Sequence, residues 1–393
     1  MIRYQKTFYF FFLIIVFWSC RDKVSEKTVS LSKEADTILF SALPRTVKSP
    51  INNKQTKDKI ALGKLLFYDP ILSGSKDIAC VTCHHPSTGY AEFLDVSIGT
   101  NAKGFGSKRA FNFPNTIPFV KRNAHTVLNT AFNGIGQDVD YDPENAPMFW
   151  DIRANSLEGQ ALMPIKTLEE MRGHKFTEET ILPEVVKRLK QIPEYRKLFK
   201  NAFNEENAIS KENLGKAIAS FERTLVANNS RFDQYMRGDE NAMLLSEKEG
   251  FSLFKQVGCA NCHNGPMFSD YKEHVLGVPE NLKIKEIDSG VNRSYAFRTP
   301  TLRNLRFTAP YMHNGSFLSL KKVLEFYEDI SNKKTTNKNV PPENYDPFIK
   351  QLDLSVKEMS LIISFLNTLN DTDFDKEIPE KVPSGLPVGG DIK

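Results

Sequence analysis

Apolar residues recur at helical spacing along most of this chain. Ile60, Leu62, Leu65 and Leu66 are apolar in a pattern that predicts a helix from about Ile60 to Phe67. Phe251, Leu253, Phe254 and Val257 predict another over Glu247 to Val257, and the same period returns over Ser156–Met171, Glu178–Lys190 and Lys211–Asn228. Ser319 begins a helix with Leu320, Val323, Leu324 and Tyr327 on one face. Ser355 and Glu358 form an S-x-x-E capping box that opens a last helix reaching about Leu369. Strand patterns are few, so the fold class reads as mostly α. Gly, Asn and Pro make residues 93–141 a long loop region. Residues 331–347 read as an exposed polar excursion, and 379–393 as a disordered tail.

Composition bounds the classes. Of 393 residues, 40% are hydrophobic and 25% charged, ordinary for a globular protein. A net charge of +4 is too small to suggest nucleic acid. No hydrophobic run beyond residue 18 is long enough to span a membrane. The start is different. Arg3 and Lys6 precede an apolar run from Phe8 to Trp18, then Ser19-Cys20, which predicts an export signal with Cys20 as an acylated lipoprotein residue. The expected division is a signal over 1–20, a polar tether over 21–50, domains over 51–235 and 236–375, and a tail over 376–393. The protein is expected in the periplasm, tethered to a membrane by lipid.

The chemistry lies in two strings, Cys80-Val81-Thr82-Cys83-His84 and Cys259-Ala260-Asn261-Cys262-His263. Each is a C-x-x-C-H, the attachment signature of c-type haem: two thiols bind one porphyrin and the His ligates its iron. Zinc sites and redox disulfides also use C-x-x-C, and the two pairs could build one four-cysteine zinc site, but neither needs the adjacent His. The chain has 7 His, and two of them stand in these positions. Two covalent haems are expected.

Further segments carry a family resemblance. They include Leu62-Gly63-Lys64-Leu65-Leu66-Phe67-Tyr68-Asp69-Pro70, Arg122-Asn123-Ala124-His125-Thr126-Val127-Leu128-Asn129, Phe149-Trp150-Asp151, Phe297-Arg298-Thr299-Pro300-Thr301-Leu302-Arg303-Asn304 and Thr308-Ala309-Pro310-Tyr311-Met312-His313-Asn314-Gly315. From about residue 57 to 370 the chain resembles the bacterial di-haem cytochrome c peroxidase family, which includes MauG. The resemblance implies two cytochrome-c-like helical domains with one haem each, facing across an interface. It implies that peroxide reacts at the N-terminal haem while electrons enter at the C-terminal haem.

The resemblance also implies roles. Trp150 bridges the haems. Gln160 and Glu170 lie at the peroxide-reacting side, where a carboxylate moves a proton between the peroxide oxygens. Asn123 and the carbonyls of Thr308 and Pro310 hold one calcium ion. His313, with Arg298 or Arg303, pairs with haem propionates or holds the interface. Two positions depart from the usual pattern. Thr100 stands where typical members place a distal His, so the N-terminal haem is expected to be open. His85 and His125 are nearby, and His125 is the alternative ligand. Tyr327 stands where most peroxidases of the family have a Met, as in MauG. It is the expected C-terminal iron ligand, with Met312 or no side chain as alternatives.

Three functions follow: a peroxidase fed by a cytochrome c or copper protein, a MauG-like oxidase acting on an aromatic residue of a partner protein, or a plain electron carrier. Homodimers occur in the family. Lys103, Lys108, Arg109 and Lys121 could steer an acidic partner, although a solvated loop explains them as well.

Overall fold

The structure is a computed structural model that describes residue 1 and residues 40–392. The expected signal, its Cys20 and most of the tether lie outside the described residues. Among the described residues, no helix is long and apolar enough to cross a membrane.

Helices dominate, in the order α1 (Lys57–Tyr68), α2 (Cys80–Cys83), α3 (Leu157–Gln160), α4 (Met163–Lys166), α5 (Glu178–Gln191), α6 (Pro193–Phe203), α7 (Lys211–Glu222), α8 (Arg231–Met236), α9 (Leu245–Gln256), α10 (Leu320–Ser331) and α11 (Met359–Asn367). Two small antiparallel pairs complete the order. β1 (Ala102–Lys103) pairs with β2 (Ala110–Phe111), and β3 (Glu273–Val275) with β4 (Ala296–Arg298).

Two large cores form. The first gathers α1, α5, α6 and α7 around Leu66, Phe67, Tyr195, Phe199 and Phe221; the second gathers α8, α9 and α11 around Phe232, Phe251, Phe254 and Phe365. Each is built on one close helix crossing. A Cβ on Gly63 of α1 would lie 1.9 Å from the Ala217 carbonyl oxygen of α7. A Cβ on Gly250 of α9 would lie 2.0 Å from the Leu361 oxygen of α11. Both crossings therefore require glycine, and in each half the glycine helix precedes a C-x-x-C-H string, α9 almost directly and α1 after a short 3-10 turn over Pro70–Leu72.

Several expectations need correction. The helix expected over Ser156–Met171 is broken into α3, α4 and a π-turn over Leu168–Arg172. Pro164 in the first turn of α4 has no N–H to carry the earlier helix onward, and Thr167 is extended. The helix expected to reach Asn228 ends at Glu222, because the Asn129 side chain pairs with the backbone of Ala227. The tether expected to run to residue 50 ends earlier: Phe40 is buried in the second core, edge-on to Phe251 at 5.2 Å. Phe232, expected in the first domain, belongs to that same core.

The tail expected to be disordered is folded against the first core. Val382 is buried there, and Ser384 Oγ donates to Asp69 at 2.7 Å. Gly389 N–H donates to the Tyr68 oxygen, and Gly390 forms a bridge with Ile78. The Thr82 hydroxyl, between Cys80 and Cys83, donates to the Gly389 oxygen at 3.0 Å. A polar, Pro- and Gly-rich composition gave no hint of this because backbone groups make most of these contacts.

Candidate functional site

A cavity lies beside each C-x-x-C-H string. The first is lined by Cys80, Cys83 and His84, the second by Cys259, Cys262 and His263. The four cysteines are free thiols and the two pairs serve separate cavities, which removes a joint four-cysteine zinc site. Burial pushes the Cys80 and Cys259 thiols up to about 12, so these are not the depressed thiols of a redox disulfide.

Each histidine is held in a way that suits an iron ligand. His84 donates its Nδ1–H to the Tyr90 oxygen at 3.1 Å, and His263 donates to Phe268 at 2.9 Å. Burial lowers both pKa values and keeps the rings neutral. With Nδ1 committed, Nε2 is left for the metal. Two thiols, a neutral imidazole and largely apolar walls fit a covalent porphyrin in each cavity.

Gln160, at the end of α3, and Glu170, in the π-turn, line the first cavity together with Trp150 and His84. Burial raises the Glu170 carboxyl to about 7, opposed by the Arg153 charge. Such a group exchanges a proton near neutral pH. Thr100 does not line this cavity. It is buried, with its hydroxyl donating to both oxygens of Asp77 (3.0 and 2.9 Å) and its N–H donating to the Glu170 oxygen. His85 also stays outside, paired with Ser87 and packed on Phe105. His125 does line the cavity, but its backbone lies against the His84 ring.

Trp150 lines both cavities, 8% exposed. Its Nε1–H donates to the Asn123 oxygen at 3.0 Å, and its backbone oxygen accepts from Arg298 N–H at 2.8 Å. Arg298 also faces both cavities. Burial lowers it to about 10, and among the described residues no carboxylate pairs with it, which suits a haem propionate. Arg303 does not suit that role: its guanidinium is spent on buried Asp233 at 2.9 and 3.0 Å. His313 stacks on Phe297 at 3.7 Å, and burial lowers it to about 4.

Tyr327 of α10 and Met312 both line the second cavity. Burial raises the Tyr327 phenol, reinforced by the neighbouring Cys262 and Cys259. His274, with Cys262 and Asp270 close by, resembles a metal group. Its ring instead bridges Asp270 at 3.0 Å and Asp346 at 2.6 Å. Although burial opposes the charge, hydrogen bonds to Asp270, Cys262 and Asp346 hold it protonated, up to about 11. Asn123, Thr308 and Pro310 all line the second cavity. The Asn123 amide nitrogen is tied to the Leu94 and Asp95 oxygens, while the Thr308 and Pro310 carbonyls accept no hydrogen bond among the described residues.

Glu222 was not expected at the site. It lines the first cavity from the end of α7, and one of its buried oxygens has no partner. Burial raises it to about 8, with Arg223 opposing. A lone acid closing the run Ala217-Ile218-Ala219-Ser220-Phe221 was the available signal.

Two such pockets in one chain fit a di-haem c-type oxidoreductase. The comparisons are more specific: the chain belongs to the di-haem cytochrome c peroxidase family, whose model matches residues 57–241. It is 37% identical over 331 residues to the methylamine utilization protein MauG of Methylorubrum extorquens, covering 83% of this chain and 82% of that protein. It is 32% identical over 338 residues to the cytochrome c551 peroxidase of Nitrosomonas europaea, covering 84% and 85%. A solved MauG-like protein associated with microbial copper homeostasis superposes with a TM-score of 0.67 at 25% identity, over 84% of this chain and 95% of that one. The family implies two c-type haems.

Proposed function

We propose that the protein reduces hydrogen peroxide at the N-terminal haem, beside Cys80 and Cys83, with electrons entering through the C-terminal haem beside Cys259 and Cys262. The observation that carries this is Glu170, a carboxyl poised near 7 in the cavity that also holds His84. When bound, each haem iron supplies one-electron redox chemistry. Glu170 takes a proton from the bound peroxide oxygen and returns it to the leaving oxygen, and Gln160 orients the peroxide. Trp150 carries electrons between the cavities it lines. Overall, H2O2 with two electrons and two protons gives two waters.

Thr100 is spent on Asp77, which supports an N-terminal haem open on one side at rest. Tyr327 is proposed as the second iron ligand of the C-terminal haem, and a calcium ion at Asn123, Thr308 and Pro310 as a brace between the halves. The proposed setting is the periplasm, with a lipid anchor at Cys20, a small cytochrome or copper protein as donor, and homodimers.

Steady-state turnover of peroxide with reduced cytochrome c tests this reading. Fast turnover supports it. Fast haem oxidation by peroxide with negligible turnover favours the second reading, a MauG-like oxidase acting on a partner protein's aromatic residue, to which Tyr327 tilts.

A further inference from the structure

His125 lines both cavities, as Trp150 does, and is otherwise enclosed. Its ring centre lies 4.0 Å from that of Trp150, with 27° between the planes. Its Nε2 atom is buried and has no hydrogen-bond partner among the described residues. An imidazolium there would bury a charge and an unpartnered Nε2–H, so the enclosed ring is held uncharged. His313 meets Trp150 differently, edge-on at 6.3 Å and 74°. Among these neighbours, His125 alone offers Trp150 a ring face.

A neutral aromatic face carries negative potential and stabilises a cation lying against it, most strongly where water is excluded. With Nε2 unpartnered, no hydrogen bond draws density from the ring. We propose that His125 is a positioning residue for electron transfer, its neutral face stabilising the positive charge on the Trp150 indole while an electron is missing from it. This rests on the reading of Trp150 as the bridge. One electron leaves the indole toward the first cavity and one returns from the second. No proton is lost, because the Trp150 Nε1–H stays on the Asn123 carbonyl. Two such passages deliver the two electrons that hydrogen peroxide consumes.

The test mixes the haem-loaded, fully oxidised protein with one equivalent of hydrogen peroxide, the oxidant that can take an electron from the indole. Stopped-flow absorbance then follows redistribution of the oxidising equivalents between the haems. His125→Leu removes the ring face and is expected to slow redistribution about tenfold, the size a desolvated cation–ring contact supports. His125→Phe restores a stacked ring and should return the wild-type rate. His125→Gln should be slow like the leucine chain, and answers the question if that chain does not fold. Wild-type speed in the leucine and glutamine chains overturns the proposal, as does a phenylalanine chain as slow as they are. Trp150→Phe separates the two readings. If it leaves redistribution unchanged, the bridge itself fails; if it is slow while His125→Leu is fast, only the stacking idea fails.

Discussion

Environment sets the chemistry of single residues here more than identity does. Glu170 and Glu222 are both glutamates lining one cavity, both raised by burial, to about 7 and about 8. In the proposed reaction only Glu170 moves the proton. Glu170→Gln should slow reaction with peroxide by roughly 10²–10⁴-fold, seen by stopped-flow absorbance. The proton acceptor is the carboxylate, so the wild-type rate should fall as pH drops through about 7. Glu222 gives a stability signal instead. Its folded pKa lies above the unfolded value near 4.5, so stability is fully present below that value and lost as pH rises toward about 8. Glu222→Gln should therefore raise the melting temperature by roughly 2–4 °C at pH 8 and much less at pH 5. Tyr327→Phe should change the spectrum of the C-terminal haem and leave the other intact; no change would remove Tyr327 as ligand. The strings were legible in residue type and order alone, and the family resemblance pointed to Trp150, Gln160 and Glu170, which line the cavities. The engagement of Thr100 by Asp77 and the stacking of His125 were not legible, because both depend on side-chain partners that spacing does not reveal.

At the level of elements, periodicity located α1, α5, α9 and α10 well, since each buries one apolar stripe. It failed over Ser156–Met171, where a proline and a π-turn aim Glu170 at the cavity. The glycine crossings were also hidden, because a glycine in a helix pattern is silent about what approaches it. Gly63→Ala puts a methyl group 1.9 Å from the Ala217 oxygen and should cost about 1–3 kcal/mol as α1 and α7 separate. Urea unfolding followed at the N-terminal haem reads this loss directly.

Across the whole molecule, ionic and backbone contacts bind the two halves around the cavities. Arg122 pairs with Asp288 at 2.5 Å and with Asp151 at 2.8 Å, and Asn123 N–H donates to the His313 oxygen. Although burial opposes it, Arg122 holds the Asp288 carboxyl below its ordinary value. That stability is present above the unfolded carboxylate pKa and is lost as pH falls through the lower folded value. Arg122→Leu leaves half-buried Asp288 without its cation, Asp151 keeping Arg153 at 2.7 Å, and should cost about 1–3 kcal/mol at neutral pH, measured by calorimetry. The folded tail works at this scale too. Synthesis runs from the N-terminus, so residues 382–391 are made about three hundred residues after Cys80. Gly389 nevertheless closes onto Thr82, in the middle of the first string. The first string therefore gains this contact only once residues 382–391 have docked, so the attachment loop is held from a segment far along the chain.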